Sequence, residues 1–236
     1  MSQNFPARWV RGLFMVLALL LIGCETPEPT KEIENVISAG SVGVSATHFA
    51  DELDLKLSAY PYDLKSRPME YNAVVMELIS ELSEQAVLLA VAREKNIDVS
   101  LEEVEKAEAE IKADYPEDSF NQMLLENAVS YMFWKRKLKQ SLIIDKLIHS
   151  ELLDPIEISG DDIKKFFHKY VDGNKASTDR FLKDERKMVV QLRMEKSQEQ
   201  YSDWMAALKK QVPFQIHKKV VTRFLIDPNV REEKVK

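Results

Sequence analysis

The 236-residue chain has one cysteine, Cys24, so no disulfide can form within it and stability must come from packing. Glycine is also scarce, with six in all and only those at 40, 43, 160 and 173 lying beyond residue 23. Few glycines mean few tight turns, which predicts long helices. There is no basic excess: 33 Lys and Arg against 39 Asp and Glu leave a net charge of −6, and nucleic acid would be repelled through its phosphates. The four histidines, His48, His149, His168 and His217, lack H-x3-H spacing and a cysteine partner, which argues against zinc. No glycine-rich phosphate loop and no G-x-S-x-G elbow occurs, so no catalytic residue, metal or cofactor is assigned. Nor is there a long apolar run. The longest, residues 13–22, has ten residues where a membrane-spanning helix needs roughly 20.

What is present begins with that short run. Arg8 and Arg11 precede it with no acid among them, and Gly23 and Cys24 follow it, which is the layout of an export signal. Leu21-Ile22-Gly23-Cys24 resembles the lipobox of bacterial lipoproteins, in which cleavage precedes a cysteine whose sulfur carries a diacylglycerol. The resemblance implies a signal peptide over 1–23, lipidation (thioether diacylglycerol and an amide-linked fatty acid such as palmitate) at Cys24, and a tether over 24–34. That tether, Glu25-Thr26-Pro27-Glu28-Pro29-Thr30, is polar and proline-rich. Acyl chains contribute about 0.8 kcal/mol per buried CH₂, so two or three anchor firmly where one does not. Glu25, rather than Asp, after the cysteine implies the periplasmic face of the outer membrane, with the inner membrane as the alternative. Loss of the two arginines with the signal takes the charge from −6 to −8.

The remaining 213 residues allow one large or two small domains. At 45% hydrophobic and 31% charged residues, the composition supports a real core and excludes a disordered chain. Residues 36–44, VISAGSVGV, read as a strand pair turning at Gly40, with Ser45 or Thr47 capping a helix that runs to Pro61. A long helix is predicted over 69–95, with Pro68 near its first position, a stripe of Val75, Ile79, Leu82, Ala86 and Leu89, and a stop at Asn96. Ser100 and Glu103 form a capping box, with Val99 and Val104 as its staple, opening an acid-rich helix that ends before Pro116. A short helix over 117–126, a break near Asn127 and a helix over about 130–153 follow. Ser159 and Asp162 repeat the capping device, with Ile158 and Ile163 as staple. A long helix over about 178–211, with Phe181, Met188, Leu192, Trp204 and Leu208 inward, leads through Pro213 to a strand over 214–221. The tail after Pro228 is read as loose.

This order of signals resembles the N-terminal chaperone domain of SurA-type and PrsA-type exported foldases. The residues that carry it are AVAREKNIDVSLEEVEKAEAEI, FNQML, KRKLKQSLIIDKLI and IEISGDDIKKFFHKY, with SDWMAALKKQVPFQIHKKVV as the closing helix and strand. The resemblance implies a mainly α fold, a SurA N-terminal-like helical module over 35–170, whose small β element joins N- and C-terminal strands. The long C-terminal helix and strand, 171–226, would pack back on it, and 227–236 would form the tail. In that family a prolyl isomerase domain follows the segment matching 163–170, whereas here only VDGNKASTDRFLKD intervenes. No isomerase residue can be carried over, and no enzyme activity is expected.

Functional surface is sought at YMFWKRKLK, 131–139, because four consecutive large apolar residues cannot all face one side of a helix. Tyr131 and Leu138 are assigned to the core. Met132, Phe133 and Trp134, with Met76 and Met123, are the candidate client-binding residues, and Met188, Met194 and Met205 add flexible, polarisable surface. Lys135, Arg136, Lys137 and Lys139 form a solvated face close enough to those aromatics to help hold an acidic client. Glu102, Glu103, Glu105, Glu108 and Glu110 read as the wet face of their helix. The expected function is a lipid-anchored periplasmic chaperone or holdase that binds unfolded exported proteins, outer-membrane proteins among them, without ATP. The alternative is an assembly lipoprotein docking to one secretion or exopolysaccharide-export complex.

Overall fold

A computed structural model describes residues 34–116, 119–171 and 185–227. Cys24, the signal, the tether up to residue 33, Phe181 and the tail from residue 228 lie outside these residues. The chain is mainly helical with one small sheet. Strand β1 (Asn35–Ala39) turns through Gly40, at φ +52°, into β2 (Val42–Ser45). Helix α1 (Ala46–Leu57) follows at once, its first turn capped by the Ser45 hydroxyl, which accepts from His48 N at 3.1 Å. After a 3₁₀ turn (Tyr62–Ser66), α2 (Pro68–Glu94) starts on Pro68, where a missing N–H costs nothing. It ends where Asn96 enters the left-handed region at φ +57°.

The second half of α2 is buried all round, because helices and the sheet flank it; Ala86, Val87, Ala90 and Ala92 are each at most 1% exposed. Small side chains at these positions let neighbouring backbones approach closely. Helix α3 (Leu101–Ala113) opens with the expected reciprocal capping box, Glu103 N to Ser100 Oγ at 3.1 Å and Ser100 N to Glu103 Oε2 at 2.7 Å. Helices α4 (Ser119–Glu126) and α5 (Tyr131–Ile148) follow, and a π-type turn (His149–Leu153) carries α5 to the end of its predicted span.

Helix α6 (Gly160–Val171) repeats the capping device through Ser159 and Asp162, and α7 (Glu185–Gln211) runs back along the molecule. Phe166 of α6 meets Met188 and Leu192 of α7 in a satellite core, with Ile158 and Ile163 packed against it. Met205 and Leu208, farther along α7, enter the main core. Met188 and Met205 are therefore packing residues and add no flexible surface; only Met194 of that trio is exposed.

The two ends of the described chain meet. Strand β3 (Phe214–Ile216) pairs antiparallel with β1, giving the order β2-β1-β3 with Ser38 opposite Gln215. Ser38 Oγ lies 2.9 Å from His217 Nε2, and the Asn72 side chain on α2 makes two hydrogen bonds to the backbone of Ile226, at 2.7 and 2.9 Å. The predicted C-terminal strand is shorter than its alternation implied. Past His217 the chain turns helical, as α8 (Lys218–Val221), and Val220 and Val221 both enter the core. Helices thus surround α2, and the sheet of chain ends closes one side.

Candidate functional site: an apolar crevice beside helix α5

Helix α5 begins at Ser130, whose Oγ accepts from Phe133 N at 3.2 Å, directly after Ala128 adopts a left-handed φ of +52°. This turn sends the four large residues of the helix start in different directions. Phe133 is buried, while Trp134 is half-buried against the Phe120 ring of α4, with centroids 4.8 Å apart at 74°. Tyr131 stacks on the other side of Trp134 at 6.0 Å. Met132 points away and is 74% exposed.

Between α1, α2, α4 and α5 lies a crevice of about 610 Å³ lined by Leu55, Met123, Leu124, Val129, Phe133, Trp134, Leu138 and Ile144, with Gln85, Asn127, Lys137 and Ser141 as its polar members. A second hollow of about 410 Å³ shares Leu55, Asn127, Val129 and Phe133 with it and continues to Asp51, Asp54 and Ser58 of the α1 end. The two hollows adjoin through these four residues, the first mainly apolar and the second carrying the acidic side chains. Of the five sequence-assigned binding residues, the structure brings Met123, Phe133 and Trp134 together here. Met132 lines a different, smaller hollow with Val99, Leu101 and Val104, and Met76 sits exposed on α2, lining neither. Leu55, Leu124, Val129 and Ile144 were not singled out from sequence. Their only signal there was helical periodicity, which core residues share.

Arg136 and Lys139 of α5 are exposed, as the sequence implied, but the lysines of this helix are also tied to carboxylates. Lys137 Nζ donates to Glu52 Oε2 at 2.6 Å, Lys135 Nζ lies 3.0 Å from Glu108 Oε2, and Lys139 Nζ lies 3.3 Å from Asp98 Oδ1. Arg136 instead sits over the Phe133 ring, 5.3 Å from its centroid. Carboxylates on α1, on α3 and in the link between α2 and α3 thus hold three of these four cations. Tyr131, assigned to the core, is exposed over part of its ring, and its hydroxyl donates to Glu108 Oε1 at 2.7 Å. Glu108 in turn leaves the wet face of α3. It is 8% exposed and also accepts from Lys112 Nζ at 2.6 Å. Burial pushes its carboxyl upward, but the hydrogen bonds from Lys112, Tyr131 and Lys135 prevail and hold it at about 2. Glu52 behaves alike: burial opposes ionisation, and His48 and Lys137 outweigh it to keep the group below the ordinary carboxylate range. Charge at this site staples helices together.

Among the described residues no group of three or more His, Cys, Asp or Glu could hold a metal ion, and no helix is long and apolar enough to cross a membrane. No protein-family model matches the sequence, and no curated protein matches it. The chemistry of the crevice thus rests on its own residues: mixed aliphatic, aromatic and thioether surface that accepts apolar side chains of varied shape.

Proposed function

We propose that the protein is a lipid-anchored holdase of the bacterial periplasm, a SurA-like helical module that binds unfolded exported proteins without ATP and without isomerase activity. The observation that carries the reading is the crevice beside α5, where Met123, Trp134 and Phe133 offer sequence-tolerant apolar contacts. The adjoining hollow, with Asp51 and Asp54, suits a client residue of positive charge. Anchoring through Cys24 would raise the local concentration of a weak binder where its clients pass.

The test is aggregation of a denatured outer-membrane protein followed by light scattering. Equimolar protein is expected to suppress it, and Leu124→Asp, which places a charge in the crevice, is expected to remove most of that effect. Unchanged scattering with the wild-type chain would overturn the reading. So would capture of one stoichiometric assembly partner from membranes in place of many unfolded clients.

A further inference from the structure

On the other side of α5 lies a separate cleft of about 610 Å³, bounded by the β1–β2 hairpin, the end of α2 and the middle of α5. Three of its features are of different kinds and complement one another.

The first is an open strand edge. β2 is an outer strand of the sheet, and Val42 and Gly43 form one wall of the cleft. The bonds from His217 N to Val36 O and from Gly40 N to Pro213 O direct the even-numbered residues of β1 toward β3, so Ser38 faces that way too. Gly43 is paired opposite Ser38, and its own N–H and C=O consequently face away from β1, toward an incoming chain. The second feature is charge. Arg93, Arg136, Lys139 and one carboxylate, Asp98, line the cleft; Asp98 is held by Lys139 at 3.3 Å, whereas neither arginine forms an ion pair among the described residues. Arg93 is spent only on the Ser41 carbonyl and hydroxyl, at 3.0 and 3.2 Å, and Arg136 only on the Phe133 ring. In a chain of net charge −6 with so many lysines paired, two unpaired guanidinium groups in one cleft are the exception. The third is an apolar floor of Leu89, Ile97 and Ile143, beside which Gln140 Oε1 is buried with no hydrogen-bond partner. A buried acceptor left unpaired in this way is one that an added N–H would satisfy.

We propose that this cleft captures the C-terminus of an extended polypeptide. The chain would add to the β2 edge through Gly43, its last side chain, an apolar one, would rest on Leu89 and Ile143, and its α-carboxylate would lie between Arg93 and Arg136. Planar guanidinium groups match a carboxylate with paired N–H donors, which a lysine cannot do. Edge-strand addition supplies affinity through the main chain while the pocket selects the end. The proposal does not rest on the holdase reading, because the crevice of that reading shares no residue with this cleft.

The test uses the full-length chain in non-ionic detergent micelles and a fluorescein-labelled peptide of about ten residues ending in leucine, followed by anisotropy. The free acid is expected to bind at least about tenfold more tightly than the same peptide with an amidated terminus, a difference of roughly 1.4 kcal/mol. Arg136→Gln and Arg93→Gln are each expected to abolish that preference. Equal binding of acid and amide, or no binding of either, would overturn the proposal; this comparison needs only the wild-type protein, so no misfolded variant can obscure it. A preference that survives both glutamine substitutions would overturn it as well. Loss of aggregation suppression with the acid preference intact would remove the holdase reading and leave this one standing.

Discussion

Lys137 Nζ donates to Glu52 Oε2 at 2.6 Å, linking α5 to α1 through a carboxylate that is only 4% exposed. Lys137 also lines the apolar crevice. Removing one partner strands the other, and the two removals are unequal. Lys137→Met leaves Glu52 with only His48, at 3.4 Å, and is expected to cost about 2–3 kcal/mol. Glu52→Gln leaves a more exposed lysine that water can serve, and is expected to cost about 1 kcal/mol. Urea unfolding of both variants at neutral pH checks the order; equal losses would mean that the pair is solvated.

Glu108 makes stability depend on acid. Its carboxyl is held at about 2 in the folded chain against an ordinary 4.5, so its bonds stabilise the fold fully above the ordinary value. That contribution is lost as pH falls from 4.5 toward 2, because the unfolded chain takes up the proton first. After allowance for solvent screening, about 1–2 kcal/mol is at stake. Glu108→Gln is expected to flatten the fall in thermal midpoint over this acid range, while Tyr131→Phe reduces it in part.

Closure of the module by its own C-terminal segment can be checked by deleting residues 212–236. Val212, Val220 and Val221 are all buried, and at about 1.5–3 kcal/mol each their loss is comparable with the whole stability of a domain. The shortened chain is expected to lack a cooperative thermal transition. A transition unchanged in midpoint would show that β3 and α8 add nothing.

Ala128 holds a left-handed φ of +52° in the lining of the hollow that adjoins the crevice, where an L side chain is strained. Ala128→Gly is expected to raise stability by about 0.5–1 kcal/mol, the strain relieved exceeding the added chain entropy. A loss in denaturant midpoint would contradict this.

Cys24 lies ahead of the described residues, and its substitution isolates the proposed anchor from the fold. Cys24→Ala is expected to shift the protein from the membrane to the soluble fraction and to block palmitate labelling. Its thermal midpoint should stay within about 1 °C of the parent's. Retention in membranes would refute lipidation at this residue.

Local signals were the legible ones. Ser45, Ser100 and Ser159 each mark a helix start because a cap is made of residues three apart, and Pro68 and Asn96 bound α2 for equally local reasons. The pairing of chain ends was legible only through family resemblance, since nothing in Ser38 or Gln215 alone announces the other. The binding residues were half legible. A run of four large residues at 131–134 says that some must leave the core, but which ones depends on the turn at Ala128 and on α4. Glu108 was misread because five acids in one helix look alike in sequence. Only the approach of Tyr131 and Lys135 from α5 separates it from Glu105 and Glu110. The ion pairs of the α5 lysines were missed for the same reason, their partners standing up to 85 residues away.

The place of β1 in the sheet also has a mechanical meaning. β1 is the central strand, bonded on both sides, and the chain enters it from its first residue at Asn35. A pull on the polypeptide ahead of that point acts along the strand axis, so the bonds to β2 and β3 share the force and must shear together instead of parting one at a time. A protein held by its leading end would thus pass tension first into the paired backbone of β1, and through β2 to one wall of the cleft, while the crevice on the far side of α5 has no strand in its lining.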